Sequence, residues 1–357
     1  MEPRRKRRRV QANAFVNTFG VAHGPVNCLD AFLDVSSTEA LSRTCRTLHG
    51  NVTPLFCQKA VIPLSCVLQW YKKAKQGEKS HWRHIRHVYV DNVPIVPRVW
   101  SCFLRSLHLG ECFNKVLAPN VLPASLQELT LSDAFNQRLT TDVLPKQLKT
   151  LNFGKAYNRP LDAKVLPEAL THLTFGYNYD QPLKEHILPA SLEYLKFKGK
   201  FDQEIKRNVL PQTLRYLSFG DFFDYPFQRG VLPSSLKILQ FAGLLFDNTL
   251  LAGVLPEGLV ELTLSRFFDQ PMCVVHFPPQ LRVLEFGYHF NHRLPPGALP
   301  RTLEKLQLGE KFDQELCPGV LPVSLKELIF LGKYIHSLPK LPETLERLII
   351  GGTTVLT

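Results

Sequence analysis

A Pro-x-x-Leu step recurs through the last two thirds of this sequence, and its spacing is the strongest constraint on the fold. The interval is 22 residues, apart from one of 23 and a final one of 20. The step falls at Pro123, Pro145, Pro167, Pro189, Pro211, Pro233, Pro256, Pro278, Pro300, Pro322 and Pro342. A fixed period of this length indicates a repeat protein. One unit cannot bury its own apolar face, so the units must stack.

Each unit continues as L-x-x-L-x-[LF], for example Leu126, Leu129 and Leu131. The alternating end of this pattern predicts a short strand with its apolar residues pointing inward. The prolines fall where the chain turns back, so the sheet loses no N–H donor to them. The sequence therefore predicts an α/β or mostly β solenoid of about twelve repeats over residues 85–357, with one parallel strand per coil.

Two units lack the proline. Leu104, Leu107 and Leu109 form a further repeat, and Ile85, Val88 and Val90 have the spacing of a capping coil.

Twelve or thirteen positions after each of these prolines except the last comes an aromatic residue, usually followed by Asn or Asp. Phe201-Asp202 and Tyr157-Asn158 are examples. The aromatic column predicts a buried, stacked spine. Asn and Asp share acceptor oxygens but not donors, so their exchange predicts acceptors for loop N–H groups. A row of catalytic carboxylates is the alternative. This alternative fits the periodic row poorly, because general acid–base catalysis needs two groups with different pKa values.

The units resemble FNIP repeats, a short variant of the leucine-rich repeat. The family's FN-Q-P-[IL] core appears as YDQPL from Tyr179, FDQPM from Phe268 and FDQEL from Phe312, and LPASL occurs twice. The resemblance covers residues 100–357 and implies a leucine-rich-repeat-like solenoid. The last units depart from it, because Ile335 replaces Asn or Asp and the final spacing shortens. This is typical of a terminal cap.

The N-terminal third carries nearly all of the net charge of +12, since residues 1–105 hold +11. A dense basic run lies in the tail of residues 1–20, which we expect to be disordered. The run resembles a nuclear localisation signal, and the alternative is a nonspecific basic tail. It consists of Arg4, Arg5, Lys6, Arg7, Arg8 and Arg9.

Residues 21–58 predict a helix that begins at the capping box formed by Ser36 and Glu39. The segment resembles the C-terminal half of an F-box, although the Pro and the Glu-Leu-Leu helix usual upstream do not match. The resemblance implies that it docks a Skp-type adaptor of a cullin ligase. The residues involved would be Phe32, Leu33, Leu41 and Cys45. The alternative is a small helical cap that only seals the solenoid. Residues 59–84 form a basic linker or cap with a predicted helix from Pro63 to Gln76.

The strand register places a run of aromatic and apolar residues on the outward, concave face of the sheet. It consists of His172, Tyr194, Tyr216 and Ile238, with Lys196 beside it. Exposed tyrosines are typical anchors of protein interfaces, so we expect a protein target to bind there. Ordinary pairing between neighbouring strands is the alternative.

These observations favour a substrate-recruiting subunit of an SCF-type ubiquitin ligase. The first alternative is a nuclear scaffold without a ligase link. The second is nucleic-acid binding through the basic first third, where Trp70, Trp82 and Trp100 offer stacking surfaces.

Other classes are not supported by the sequence. We expect no enzyme activity and no cofactor, because no phosphate loop, nucleophile elbow or metalloprotease motif occurs. His81, His84 and His87 have no cysteine at zinc-ligand spacing. No stretch is apolar enough to span a membrane. No secretory signal is evident, and the scattered cysteines predict reduced thiols in the cytoplasm, the nucleus or both.

Overall fold

The computed structural model describes residues 87–90 and 104–356. The basic run at Arg4–Arg9, the F-box-like residues Phe32, Leu33, Leu41 and Cys45, and the predicted helix of residues 63–76 lie outside the described residues. No helix forms in the part of the chain that is described. It accordingly holds no helix long and apolar enough to cross a membrane.

In the described residues fourteen strands form one sheet in chain order, and each of the first twelve runs parallel to the next, whereas β14 runs antiparallel to β13. Their register follows the repeat, so that Leu195 pairs with Leu217 and Leu217 with Leu239. The strands are β1 His87–Val90, β2 Ser106–Leu109, β3 Glu128–Thr130, β4 Thr150–Asn152, β5 His172–Phe175, β6 Tyr194–Phe197, β7 Tyr216–Phe219, β8 Ile238–Phe241, β9 Glu261–Thr263, β10 Val283–Glu285, β11 Lys305–Leu308, β12 Glu327–Phe330, β13 Arg347–Ile350 and β14 Thr353–Leu356. The predicted solenoid with one parallel strand per coil is confirmed, including a strand in the predicted capping coil.

The Pro-x-x-Leu step is a tight turn that leads into each strand. In the coil that contains β3, for example, the N–H of Leu126 donates to the carbonyl of Pro123 at 3.1 Å. The serine or threonine just before the leucine donates its hydroxyl to the coil before, as Ser191 does to the carbonyl of Leu170 at 2.8 Å. This explains why the repeat reads LP-x-[ST]-L in many coils.

The predicted aromatic spine is confirmed as the centre of the core. Rings of successive coils stack on one another. The centroids of Tyr179 and Phe201 lie 6.2 Å apart, and those of Phe201 and Phe223 lie 6.1 Å apart. A second column lies beside it, because the last strand residue of several coils is also Phe. Phe197 in that column packs on Phe201 at 4.0 Å. Both columns are almost fully buried.

A left-handed turn three residues before the proline was not evident from the sequence. The backbone φ there is between 58° and 66° at Asn120, Asp142, Lys164, His186 and Asn208. Four later coils place glycine at the same point, for example Gly230 and Gly297. Asn, Asp and Gly suit this conformation, whereas Lys164 is held in it by the repeat.

The C-terminal end is closed by a hairpin. Gly351 and Gly352 have positive φ, and β14 folds back antiparallel on β13. The sequence predicted an atypical terminal unit but not this fourteenth strand.

Candidate protein-binding surfaces

The Asn and Asp column forms a ladder of acceptors, as predicted. In nine successive steps a side-chain Oδ1 accepts the backbone N–H of the next Asn or Asp at 2.9–3.1 Å. The N–H of Asp224, for example, donates to Asp202. Each oxygen therefore holds two coils together, which is a structural role for the row of carboxylates.

The Gln of the FN-Q motif extends this ladder. Gln203 donates its Nε2 to Oδ1 of Asp180 at 2.8 Å, and Gln181 does the same to Asn158. In the last step His336 lies 2.8 Å from the carboxylate of Asp313. The ladder ends there, because Ile335 has no acceptor and is exposed to solvent.

The predicted aromatic strip on the outward face is a continuous stack. The rings of His172 and Tyr194 lie 5.5 Å apart, and those of Tyr194 and Tyr216 lie 4.2 Å apart and nearly parallel. The hydroxyl of Tyr216 donates to Oε1 of Gln240 at 2.6 Å. Partial burial and the neighbouring Tyr216 raise the pKa of Tyr194 to about 12. The strip therefore presents stacked tyrosine rings, and Tyr194 keeps its hydroxyl proton at neutral pH.

The strip is more closely packed than the sequence suggested. His172 is exposed, but Tyr194, Lys196, Tyr216 and Ile238 are half-buried. Ser218, which shares the outward register, is fully buried. The predicted stacking between neighbouring strands thus occurs, and it leaves a flat surface whose ring edges still reach solvent.

Farther along the same face, charged side chains pair with each other. Lys305 lies 2.7 Å from Glu285, Arg282 lies 3.1 Å from Glu304, and Arg347 lies 3.4 Å from Glu327. Lys196 forms no ion pair with another described residue. The unpaired charge of Lys196 and the aromatic strip therefore lie in the same part of the sheet, on strands β5 to β8.

A cleft of about 540 Å³ lies at the carboxyl ends of β4 to β8, and we call it the rim cleft. The sequence analysis missed it. Its lining includes Lys196, Lys198, Tyr177, Ser218 and Asp221. Gly176 and Gly220, each just after a strand, line it, and the recurrence of glycine at this point of the repeat was the signal that could have located the cleft.

One lysine of the rim cleft is already neutralised. Lys155 lies 3.0 Å from the carboxylate of Asp133. Although partial burial acts in the opposite direction, the hydrogen bonds and charge of Lys155 lower the pKa of Asp133 below its usual value.

Aromatic and aliphatic side chains are exposed along the loops that follow the strands in the middle coils. Tyr177 and Phe222 are each 38% exposed, and their rings meet edge to face at 6.3 Å. Leu244, Leu245 and Phe267 continue this exposed row. The corresponding loops of the first and last coils carry charged residues, such as Glu111 and Lys311.

Within residues 87–90 and 104–356, no group of three or more His, Cys, Asp or Glu side chains could hold a metal ion. No catalytic constellation was predicted. Among the described residues, the outward strip and the rim cleft are two surfaces at which another molecule could bind.

Comparison with known proteins places these features in a family. The profile described as FNIP Repeat matches seven segments, namely residues 94–156, 157–200, 201–244, 246–289, 268–311, 290–334 and 312–353. A solved structure described as CroV588, a novel circular LRR protein structure, is 38% identical with a TM-score of 0.71. The match covers 75% of this chain and 40% of that one, so this chain spans well under half the length of that relative. No curated protein matches the sequence.

Proposed function

The chain belongs to the FNIP repeat family, and from this premise we propose that its solenoid is a protein-interaction platform that binds its target through the outward face of β5 to β8. The observation that carries this proposal is the aromatic strip at His172, Tyr194, Tyr216 and Ile238, with the unpaired Lys196 beside it.

The dimensions of the sheet suit a protein partner. The four strands β5 to β8, about 4.8 Å apart and about four residues long, give an outward face of roughly 250 Å², and the whole sheet gives roughly 800 Å². One partner contributes about 800 Å² to a standard interface, so the strip would form the centre of a contact that extends over neighbouring strands. Because Tyr194 and Tyr216 are already held by stacking, they lose little side-chain freedom on binding.

Affinity capture of proteins from a cell extract tests the proposal. We expect the triple variant Y194S/Y216S/I238S to lose at least tenfold of the captured target relative to the wild type. The matched control is V283S/I329S, which replaces two half-buried apolar residues in the same outward registers of β10 and β12. Equal capture by the wild type and the triple variant, with both folded, would contradict the proposal.

The finer proposal is that the platform recruits substrates to an SCF-type ubiquitin ligase. It is supported by the F-box-like residues Phe32, Leu33, Leu41 and Cys45, which would dock a Skp-type adaptor. The chain would then act by raising the concentration of its target near a ubiquitin-charged enzyme. We expect the L33E/L41E variant to lose co-purifying adaptor. Undiminished recovery of the adaptor would leave the platform without its ligase link.

The alternative is a nuclear scaffold without that link, supported by the basic run Arg4 to Arg9. Replacing the run with alanine should shift a fluorescent fusion from the nucleus to the cytoplasm. An unchanged distribution would argue against its role as a localisation signal.

A further inference from the structure

We propose that the rim cleft is a second binding site, which takes an acidic peptide segment of a partner protein with an apolar side chain between its carboxylates. This inference rests on the proposed function, since it assumes that the solenoid binds proteins. It adds an adjoining surface, which shares Lys196 with the outward strip, and the chemistry of its ligand.

The cleft is long enough for an extended segment. Gly176 lines it, and close stacking of the coils requires glycine there, because a Cβ atom would overlap the carbonyl of Gly154 in the coil before. Five strands, β4 to β8, span about 19 Å, which is the length of about six extended residues.

The charges of the cleft favour an anionic group. Lys155 is paired with Asp133 and the charge of Lys198 also acts on that carboxylate, whereas Lys196 forms no ion pair with another described residue. Lys200 lies exposed two positions beyond Lys198. An ammonium without a partner gains most from a carboxylate brought by the ligand.

An apolar contact is available beside these lysines. Tyr177 lines the cleft, and the exposed ring of Phe222 meets it edge to face. An apolar side chain of the ligand would cover both ring edges. Exposed aromatic rings and lysines occur together in the loops of the middle coils, whereas the equivalent loops of the first and last coils carry charged residues such as Glu111 and Lys311.

The lining distinguishes a peptide from a nucleic acid or a phosphate-bearing ligand. Asp133 and Asp221 also line the cleft, and they would repel a backbone of closely spaced phosphates. No arginine contributes to the lining, so the bidentate contacts that arginine makes with phosphate are missing. A peptide can match this mixture, because its backbone N–H groups can donate to the two aspartates while its carboxylates face the lysines.

Fluorescence anisotropy with the full-length chain tests the inference. The probe is a labelled seven-residue peptide in which a central leucine is flanked by three glutamates on each side. We expect saturable binding that weakens with added salt, and a loss of at least tenfold in the K196E/K198E variant. The matched control K184E/K206E reverses two exposed lysines on the return loops and should bind as the wild type does. Replacing the leucine of the probe with glycine should also weaken binding, as should Y177S.

Several outcomes would overturn the inference. They are no binding of the probe at millimolar concentration, equal binding by the wild type and K196E/K198E, and tighter binding of a phosphoserine peptide or a single-stranded RNA. None of these affects the proposed platform function, which is judged by target capture with the outward-strip variants. Loss of capture in Y194S/Y216S/I238S together with failure of the probe would retain the platform and remove only the second site.

Discussion

The acceptor ladder allows a sharp test at Asp202, because the chain itself exchanges Asn and Asp at this position. Asp202 accepts the N–H of Asp224 at 3.0 Å and lies on the surface between Asp180 and Asp224. In the Asp202→Ala variant the bond is lost and the N–H is left to water. A hydrogen bond to an exposed charged acceptor contributes about 1.5 kcal/mol, so we expect that loss of stability.

Asp202→Asn should behave differently. The amide oxygen keeps the bond but gives up its charge-assisted part, about 1 kcal/mol. The substitution also removes the repulsion between the carboxylate at this position and those of its two neighbours, about 4.8 Å away. Each of these two repulsions costs about 0.9 kcal/mol in a medium like water. At low salt the relieved repulsion, about 1.8 kcal/mol in total, exceeds this loss, so the Asn variant should be more stable than the wild type by about 0.8 kcal/mol. At about 1 M salt the repulsion is screened, so the Asn variant should become less stable than the wild type by about 1 kcal/mol.

Hydrogen exchange of the Asp224 amide and urea unfolding measure these effects. A change of 1.4 kcal/mol corresponds to a tenfold change in local opening, so exchange of residues 222–228 should quicken about tenfold in Asp202→Ala. Glu185→Ala, an exposed carboxylate on a return loop, is the control and should stay within about 0.5 kcal/mol of the wild type. An Ala variant as stable as the wild type, or an Asn variant as unstable as Ala at low salt, would refute the acceptor role.

Four other changes test the packing of the coils. Phe201→Ala should lower the free energy of unfolding by about 3–5 kcal/mol, measured by urea denaturation, because its ring stacks on both neighbouring coils. Tyr179→Phe should raise it by about 1 kcal/mol, since the hydroxyl is buried without a partner. Burial raises the pKa of Tyr179 above its ordinary value, so the folded state holds the phenol proton more tightly than the unfolded state does. This contribution to stability is complete below about pH 10 and is lost as the pH rises further. The Phe variant should therefore lose less stability in alkaline titration. Lys164→Gly should stabilise by up to about 1 kcal/mol by relieving its left-handed φ, visible as a higher melting temperature. Gly287→Ala should destabilise strongly, because its Cβ would overlap the carbonyl of Ser265, and a melting temperature near the wild type would contradict this.

Much of the fold could be predicted because the repeat places equivalent residues in columns. The register of Leu195 and Leu217, the stacked rings of Tyr179 and Phe201, and the acceptor role of Asp202 all follow from one spacing. The predictions on Leu33, Leu41 and the basic run remain predictions, since they concern residues outside those described.

The sequence by itself determined the solenoid, its strand per coil, its aromatic core and its polar ladder, because a 22-residue period repeats the same local interactions in every turn. The register of the repeat also located the outward strip, but only the tertiary structure showed the rim cleft and how closely the strip is packed. The rim cleft depends on how the loops after β4 to β8 stack, the half-buried state of Tyr194 depends on the ring of the next coil, and the charge left on Lys196 depends on which neighbours lack a carboxylate. These features arise from differences between adjacent coils, which become contacts once the coils are stacked.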